Sequence, residues 1–198
     1  VMSQVEIPGY TYGQPSVQPS PVSMEDLERI QACLLWSDED VQALRRAGEI
    51  LGPRKEEILD VWYGFVASQP HLLAYFSRPD GPSQEYLQRV RARFGRWIED
   101  TCRAEYDQRW LDYQEEIAQR HFTRKNQTDG AAAEGTPPYI HWRYINALVY
   151  PIYATVRPFL EQSGEPPEMV EKMHQAWLKA VLLQATLWAR PYAKNEAW

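Results

Sequence analysis

The chain has 198 residues, 24% of them charged, and a formal net charge of −6 at pH 7. This length is that of one ordinary domain and is enough to bury a substantial core. The acidic balance, with both signs interspersed along the chain, argues against nucleic acid or an anionic membrane surface as a partner.

Proline and glycine are frequent in residues 1–22, and we expect an N-terminal extension without regular structure there. From that point on the pattern is helical. Ser23 predicts the cap of a short helix that ends near Leu35. Ser37 predicts the cap of a second helix that ends near Leu51.

A third helix is predicted over 53–69, because proline suits the first turn of a helix. A short turn-like piece, 70–78, follows it. Apolar residues then recur at helical spacing from Gln84 onwards and again over 106–122. The composition TDGAAAEGTPP predicts a loop over 128–138.

Two longer helices are predicted next, one from Pro138 to about Leu160 and one from Pro167 to about Arg190. No strand of weight is predicted, so the class is all-α, with about eight helices in one domain over 23–198. The last two helices are apolar over more than one face. Such helices are either central in their own domain or shared with another chain, and we favour a homodimer built on these two.

Few motifs point to chemistry by side chains alone. The sequence contains no nucleotide-binding glycine loop and no metalloprotease or serine-hydrolase motif. Its four histidines are not spaced like zinc ligands. Cys33 and Cys102 form no C-x-x-C pair and are expected to be free thiols, which fits a cytoplasmic protein. No stretch is long and apolar enough for a membrane span, so no membrane partner is expected.

The aromatic residues indicate a different kind of site. They make up 13% of the chain, as is typical of a protein that walls a pocket or an interface. In the stretch EIAQRHFTRKNQTDG, 116–130, His121 closes an amphipathic helix in line with Trp110 and Ile117. Taken alone, it is interpreted as a hydrogen-bonded core histidine, and Tyr63 as a packing tyrosine. Taken together they are what a haem pocket requires, because one imidazole can hold iron and leave the other axial position open for a diatomic gas.

Longer stretches carry a family resemblance over nearly the whole chain and in collinear order. The sequence resembles the protoglobins in IPGYTYG (7–13), EILDVWYGFVASQPHLL (57–73), RARFGRWIEDTC (91–102), YDQRWLDYQEEI (106–117), KNQTDG (125–130), YPIYATVRPFL (150–160) and EKMHQAWLKAVLLQATLWARPY (171–192). The resemblance implies the three-over-three helical sandwich of the globin fold, with an extra N-terminal helix and an N-terminal extension. It also implies an almost wholly enclosed haem, apolar tunnels that lead to it, and a dimer through the last two long helices.

By the same resemblance, His121 corresponds to the proximal iron ligand. Relatives often have a second histidine beside it, where this sequence has Phe122. Tyr63 corresponds to the distal tyrosine, and Trp62 flanks it. We expect one ring nitrogen of His121 to bind iron and the other to donate to a backbone carbonyl one turn back, near Ile117.

Five further residues match positions of the haem pocket. Phe94 matches the residue above the haem, and Val90, one turn earlier, stands where other globins have a distal histidine. Phe76 matches an aromatic residue that packs on the haem. Arg93 matches an arginine that approaches a haem propionate, although a solvated arginine fits the pattern nearly as well. Leu148 stands where relatives commonly have phenylalanine, which loosens the predicted pocket wall.

The resemblance predicts a protein with haem b (iron protoporphyrin IX) that reversibly binds O2, CO or NO at five-coordinate iron, for gas binding or sensing. Two alternatives stay open. One is a haem-dependent redox enzyme, for NO or nitrite chemistry, that uses an external electron donor. The other is a globin-shaped regulatory module that has lost haem and only docks a partner.

Overall fold

A computed structural model describes residues 6–193 and 195–198, so the first five residues of the predicted extension lie outside it. The part of the chain that it describes contains the α-helices α1 (Met24–Cys33), α2 (Asp38–Leu51), α3 (Lys55–Ser68), α4 (Pro70–Leu73), α5 (Gln84–Arg103), α6 (Gln108–His121), α7 (Trp142–Ala147), α8 (Val149–Glu161) and α9 (Pro167–Trp188). Two short antiparallel strands, β1 (Ser77–Arg78) and β2 (Gly81–Pro82), form a hairpin between α4 and α5. The prediction of an all-α chain is confirmed.

The helix starts follow local capping chemistry. The Ser23 hydroxyl accepts a hydrogen bond from the Asp26 backbone N–H at 3.0 Å and caps α1. At the start of α2 the Asp40 carboxylate accepts from the Ser37 backbone N–H at 2.9 Å. In α6 the first helical residue is Gln108 rather than the predicted Tyr106, because Asp107 is the cap and accepts from the Trp110 N–H at 3.0 Å.

The predicted helix from Pro138 to Leu160 is wrong in its start and its continuity. Its first helical residue is Trp142, and Leu148 separates α7 from α8. Pro151 explains the interruption, because it has no N–H to donate to the Ala147 carbonyl and its ring crowds that carbonyl. The helical run is therefore interrupted at Leu148, whose side chain lines the cavity of the candidate site.

Helix α9 lies at the centre of the described structure and packs against α2, α6 and α8. Met173, Ala176, Ala180 and Leu183 on this helix are fully buried. The fully buried face of α9 therefore finds its partners within one chain, which agrees with the first of the two interpretations of such a helix, while Leu178 and Leu182 are only partly buried.

Two backbones come close where α2 crosses α5. A Cβ atom at Gly48 would lie 2.7 Å from the Cβ of Cys102, which is closer than packed side chains come. Glycine is therefore required at this crossing. The close approach fixes the position of α5, which carries part of the cavity wall described below.

The N-terminal extension packs across α5 and α6 without forming a helix over residues 6–22. The Tyr10 hydroxyl donates to the Asp100 carboxylate at 2.6 Å, and the Ser20 N–H donates to Asp112 at 2.8 Å. Gly9 lies in the left-handed region, with φ of +80°. A Cβ there would come within 2.7 Å of the guanidinium of Arg93, so a larger residue would displace that side chain and also strain the backbone.

Within residues 6–193 and 195–198, no helix combines the length and the apolar character that crossing a membrane requires.

Candidate functional site

A cavity of about 250 Å³ lies among α3, α5, α6, α7, α8 and the end of α9. We call it the central cavity. Most of its wall is aromatic or aliphatic. All eight of the residues predicted for the site line this cavity: Trp62, Tyr63, Phe76, Val90, Arg93, Phe94, His121 and Leu148.

His121 is the last residue of α6, and its ring is fixed from one side. Its Nδ1 lies 2.7 Å from the Ile117 carbonyl oxygen, as predicted from the sequence. This contact assigns the proton to Nδ1, since the carbonyl can only accept. No described residue offers Nε2 a hydrogen bond. Nε2 therefore keeps a lone pair that no described residue uses, on a side chain that lines the cavity.

The surroundings of His121 keep its ring neutral. Burial lowers the pKa of His121, and the nearby cations Lys125, Arg120 and Arg93 lower it further, while the Ile117 carbonyl acts in the opposite direction. A neutral imidazole with one bare nitrogen is the form that binds a metal ion.

The end of α9 holds both the ring and the backbone of His121. The indole of Trp188 stacks on the imidazole, with 5.1 Å between ring centroids and 21° between planes. The Tyr192 hydroxyl lies 3.0 Å from the His121 carbonyl oxygen, which also accepts from the Ile140 N–H at 2.7 Å. This wall of the cavity is thus tied together by hydrogen bonds.

The wall made by α3 and α5 differs from the wall of α6 and α9, because it is held together by contacts between aromatic rings. Trp62 is 6% exposed and stacks on Phe94 at 5.8 Å and 17°. Tyr63 meets Phe76 edge to face at 6.4 Å and Phe94 in the same manner at 6.5 Å. These rings offer a broad apolar surface to whatever fills the cavity.

Polar atoms interrupt that surface, among them the Trp62 indole N–H and the Tyr63 hydroxyl. The Tyr63 hydroxyl has no hydrogen-bond partner among the described residues, although the side chain lines the central cavity. Burial raises the pKa of Tyr63, so its hydroxyl keeps its proton. Because this hydroxyl belongs to a side chain that lines the cavity, a bound group that accepts its proton would gain a hydrogen bond.

Val90 and Leu148 complete the apolar lining. Val90 lies one turn before Phe94 on α5 and packs against Tyr86 and the buried Ala132 and Ala133 of the loop that follows α6. Leu148 lines the cavity from the break between α7 and α8. Neither side chain has a polar atom, so neither is a donor for a ligand.

Three cations line the cavity, Arg93, Arg120 and Lys125, and all three act on the charge of His121. We call this group the polar end. Arg93 binds both oxygens of the buried Asp129 carboxylate, at 2.9 and 2.6 Å, and donates to the Pro8 carbonyl at 2.9 Å. Arg93 is therefore not the solvated arginine of the alternative interpretation.

Lys125 differs from the two arginines because it binds no carboxylate directly. It is 3% exposed, and its ammonium donates to the Tyr75 carbonyl at 2.8 Å and to the Thr136 hydroxyl at 3.2 Å. Burial lowers the pKa of Lys125 to about 8, against the attraction of Asp129. A buried ammonium with only neutral acceptors favours an anion beside it.

Several residues of the site were not identified from the sequence. Tyr10 and Tyr12 line the cavity from the extension, and Gln114 and Trp188 line it from α6 and α9. Trp188 lies within the last predicted helix, where an apolar residue is equally typical of the core. Tyr10 and Tyr12 reach the cavity through contacts that are distant in sequence, and such contacts leave no periodic pattern. The only signal for them was the stretch IPGYTYG, which carries the family resemblance.

Comparison with known proteins agrees with this geometry. A family model described as Protoglobin matches residues 23–198. Among solved structures, the chain is similar to the globin domain of a globin-coupled sensor from Geobacter sulfurreducens, with a TM-score of 0.66 and 16% sequence identity over 84% of this chain and 97% of that one. At this identity the likeness shows the fold, and the predicted globin fold is confirmed. The chain matches no curated protein.

Proposed function

The chain belongs to the protoglobin family, whose haem serves gas binding or sensing, and from this premise we propose that the central cavity holds haem b with His121 as its one protein ligand. We propose further that the five-coordinate iron reversibly binds O2, CO or NO. One observation carries this proposal: two polar atoms without partners among the described residues, His121 Nε2 and the Tyr63 hydroxyl, belong to side chains that line the same apolar cavity.

The lining fits iron protoporphyrin IX in three respects. The rings of Trp62, Phe76 and Phe94 suit the apolar faces of a flat macrocycle. The polar end, with Lys125 as its cation without a carboxylate, suits the carboxylates of the propionates. His121 supplies one imidazole of the kind that holds haem iron in globins.

His121 contributes a neutral ring whose Nδ1 proton is donated to the Ile117 carbonyl, so that Nε2 faces the cofactor. This second hydrogen bond fixes the tautomer and raises the basicity of the ligating nitrogen. The iron of the bound haem supplies the coordination position at which a gas is taken up. The mostly apolar lining excludes water from the site.

Tyr63 is the proposed donor to a diatomic ligand. Its hydroxyl is protonated and has no partner among the described residues, and Val90 leaves no second donor where other globins place a histidine. A single hydrogen bond of this kind contributes roughly 0.5–1.5 kcal/mol. We therefore infer that the affinity for O2 depends on Tyr63 more than the affinity for CO, which is the poorer acceptor.

The proposal also covers the domain organisation and the oligomeric state of the protein. We propose that 1–22 is an extension of one globin domain over 23–198, which the family match from residue 23 supports. We propose also a homodimer through α8 and α9. Tyr150 on α8 is 71% exposed, and Leu178 and Leu182 on α9 are only partly buried.

Sedimentation of the haem-loaded protein tests the homodimer. Tyr150→Glu should shift the equilibrium towards monomer, because it places a charge in the proposed interface. Val61→Glu is the matched control, since Val61 is also exposed, at 53%, but lies on α3. A wild-type protein that sediments as a monomer at high concentration contradicts the dimer and leaves the haem site untouched.

Visible spectra test the haem proposal. We expect the protein, as isolated or after addition of hemin, to show a Soret band that shifts on reduction and shifts again under CO, and to return to its starting spectrum when the gas is removed. A colourless protein that does not take up hemin contradicts the proposal. Sustained consumption of NO or nitrite with an added reductant would favour the redox enzyme over reversible binding.

A further inference from the structure

The ring of His121 contacts a residue that is distant in sequence, Trp188. Ile117 fixes Nδ1 by a hydrogen bond, and the His121 carbonyl accepts from Ile140, so the backbone at the end of α6 is held. The remaining freedom is rotation about the Cβ–Cγ bond. That torsion has broad minima for histidine, so one hydrogen bond constrains it only in part.

The Trp188 indole restricts this rotation. It stacks on the imidazole at 5.1 Å and 21°, which is offset parallel packing, and a rotation of the imidazole plane would drive its edge into the indole face. Trp188 belongs to the last turn of α9, and Leu187 beside it is 3% exposed. The indole is therefore mounted on the central helix of the fold.

The indole is itself anchored to α6. Trp188 donates its Nε1 proton to the Gln114 side-chain oxygen at 2.9 Å, and Gln114 is 3% exposed. Gln114 lies seven residues, or about two turns, before His121 on the same face of α6. Two restraints on the imidazole thus begin on α6: the Ile117 carbonyl acts directly, and Gln114 acts through Trp188.

We propose that Trp188, anchored by Gln114, is a positioning residue that sets the plane of the His121 imidazole relative to the macrocycle. This inference rests on the proposed haem function. The plane of the ring decides how the Nε2 lone pair and the ring π-electrons meet the iron orbitals. Residues that orient a metal ligand commonly change metal affinity about 10–100-fold when they are replaced.

Three variants of the hemin-loaded protein separate the parts of this arrangement. Trp188→Leu removes the stacked ring, Trp188→Phe keeps a ring but loses the N–H, and Gln114→Leu keeps the indole without its anchor. The matched control is Trp177→Leu. Trp177 is 1% exposed and donates Nε1 to the Ile152 carbonyl at 3.2 Å, but it does not contact His121.

The readouts are the iron–imidazole stretching band in the Raman spectrum of the reduced protein and the midpoint potential of the iron. We expect the band of Trp188→Leu to broaden and move to lower frequency, with a shifted potential. Trp188→Phe should keep both the band and the potential close to the wild-type values. Gln114→Leu should give values between those of the wild type and Trp188→Leu. Trp177→Leu should lose stability and keep the wild-type band.

Two results would overturn the inference. One is a wild-type band in Trp188→Leu and Gln114→Leu while their Soret bands are intact. The other is an equal shift in Trp177→Leu, which would mark a general loss of packing. A wild-type protein that takes up hemin without an iron–imidazole band would instead overturn the proposed ligation itself, so the two failures are distinguishable.

Discussion

The two walls of the central cavity are built on different principles. On the wall of α6 and α9, His121 is restrained by Ile117 and Ile140 through hydrogen bonds and by Trp188 through stacking. On the wall of α3 and α5, Trp62 stacks on Phe94, Tyr63 contacts both Phe94 and Phe76, and the Tyr63 hydroxyl has no partner in the described chain.

This difference between the walls matches the different requirements of a metal ligand and of a hydrogen-bond donor to a gas. A metal ligand must present one lone pair in one direction, so its other groups are satisfied by the protein. A donor for a gas must keep its hydrogen bond available, and an apolar surround leaves it no competitor. Changes to the two walls should therefore have separate effects.

Removal of the imidazole should have the largest effect. We expect His121→Ala to weaken hemin retention by more than about a hundredfold, since loss of a mere partner of a metal ligand already costs about 10–100-fold. The Soret band after gel filtration measures it. His174→Ala is the matched control, because His174 is also buried, stacks on Tyr153 and bonds a backbone carbonyl at 2.7 Å. Equal haem loss in both variants would count against His121 as the ligand.

Occupancy of the cavity should distinguish the two walls. Hemin at about 100 times its Kd should add about 2.7 kcal/mol to the free energy of unfolding, or roughly 5–10 °C in Tm. Without hemin we expect amide exchange to rise most in α3 and α5, whose rings lose a partner, and least around His121, whose bonds are internal. Uniform exchange across both walls would remove the distinction between them.

Loss of the Tyr63 hydroxyl should have a moderate effect on one gas. We expect Tyr63→Phe to speed O2 release about two- to twelvefold, the equivalent of one hydrogen bond, and to change CO release less. Stopped-flow or flash photolysis measures both rates. Tyr106→Phe is the control, because its buried hydroxyl donates to the Thr101 carbonyl at 2.8 Å outside the cavity. Equal changes for O2 and CO would show that Tyr63 is not the donor.

The smallest effect concerns pH. Burial lowers the pKa of His121 in the folded chain, so the unfolded chain, with a histidine pKa of about 6.5, binds the proton more readily. The free energy of unfolding of the haem-free protein should therefore fall as pH drops below about 6.5. His121→Leu should lose less over this interval in urea titrations, while His174, whose pKa is also lowered, contributes equally to both proteins. Parallel losses in the two proteins would show that His121 does not titrate in this way.

Local patterns predicted most of the fold. Ser23 and Ser37 cap the helices that they were expected to cap, because capping depends on neighbours in sequence. The start at Pro138 was wrong because a proline tolerated in a first turn is equally at home in a loop. The interruption at Leu148 has a local cause, Pro151. It was missed because apolar residues recur at helical spacing on both sides of it and predicted one continuous helix.

The site was less accessible to sequence reasoning than the fold. The identification of His121 and Tyr63 depended on family resemblance, since each alone fits a core residue. The bond from His121 to Ile117 followed from helix spacing and is confirmed. Trp188, Gln114 and Lys125 were missed because their roles come from contacts between helices that are far apart in sequence, and such contacts leave no periodic pattern.

The most direct measurement of the central claim is an iron-edge anomalous difference map from crystals of the hemin-loaded protein. We predict one iron peak in the central cavity, at bonding distance from Nε2 of His121, with no second protein atom bound to it. A peak bound by another side chain, or a peak outside the cavity, would contradict the account.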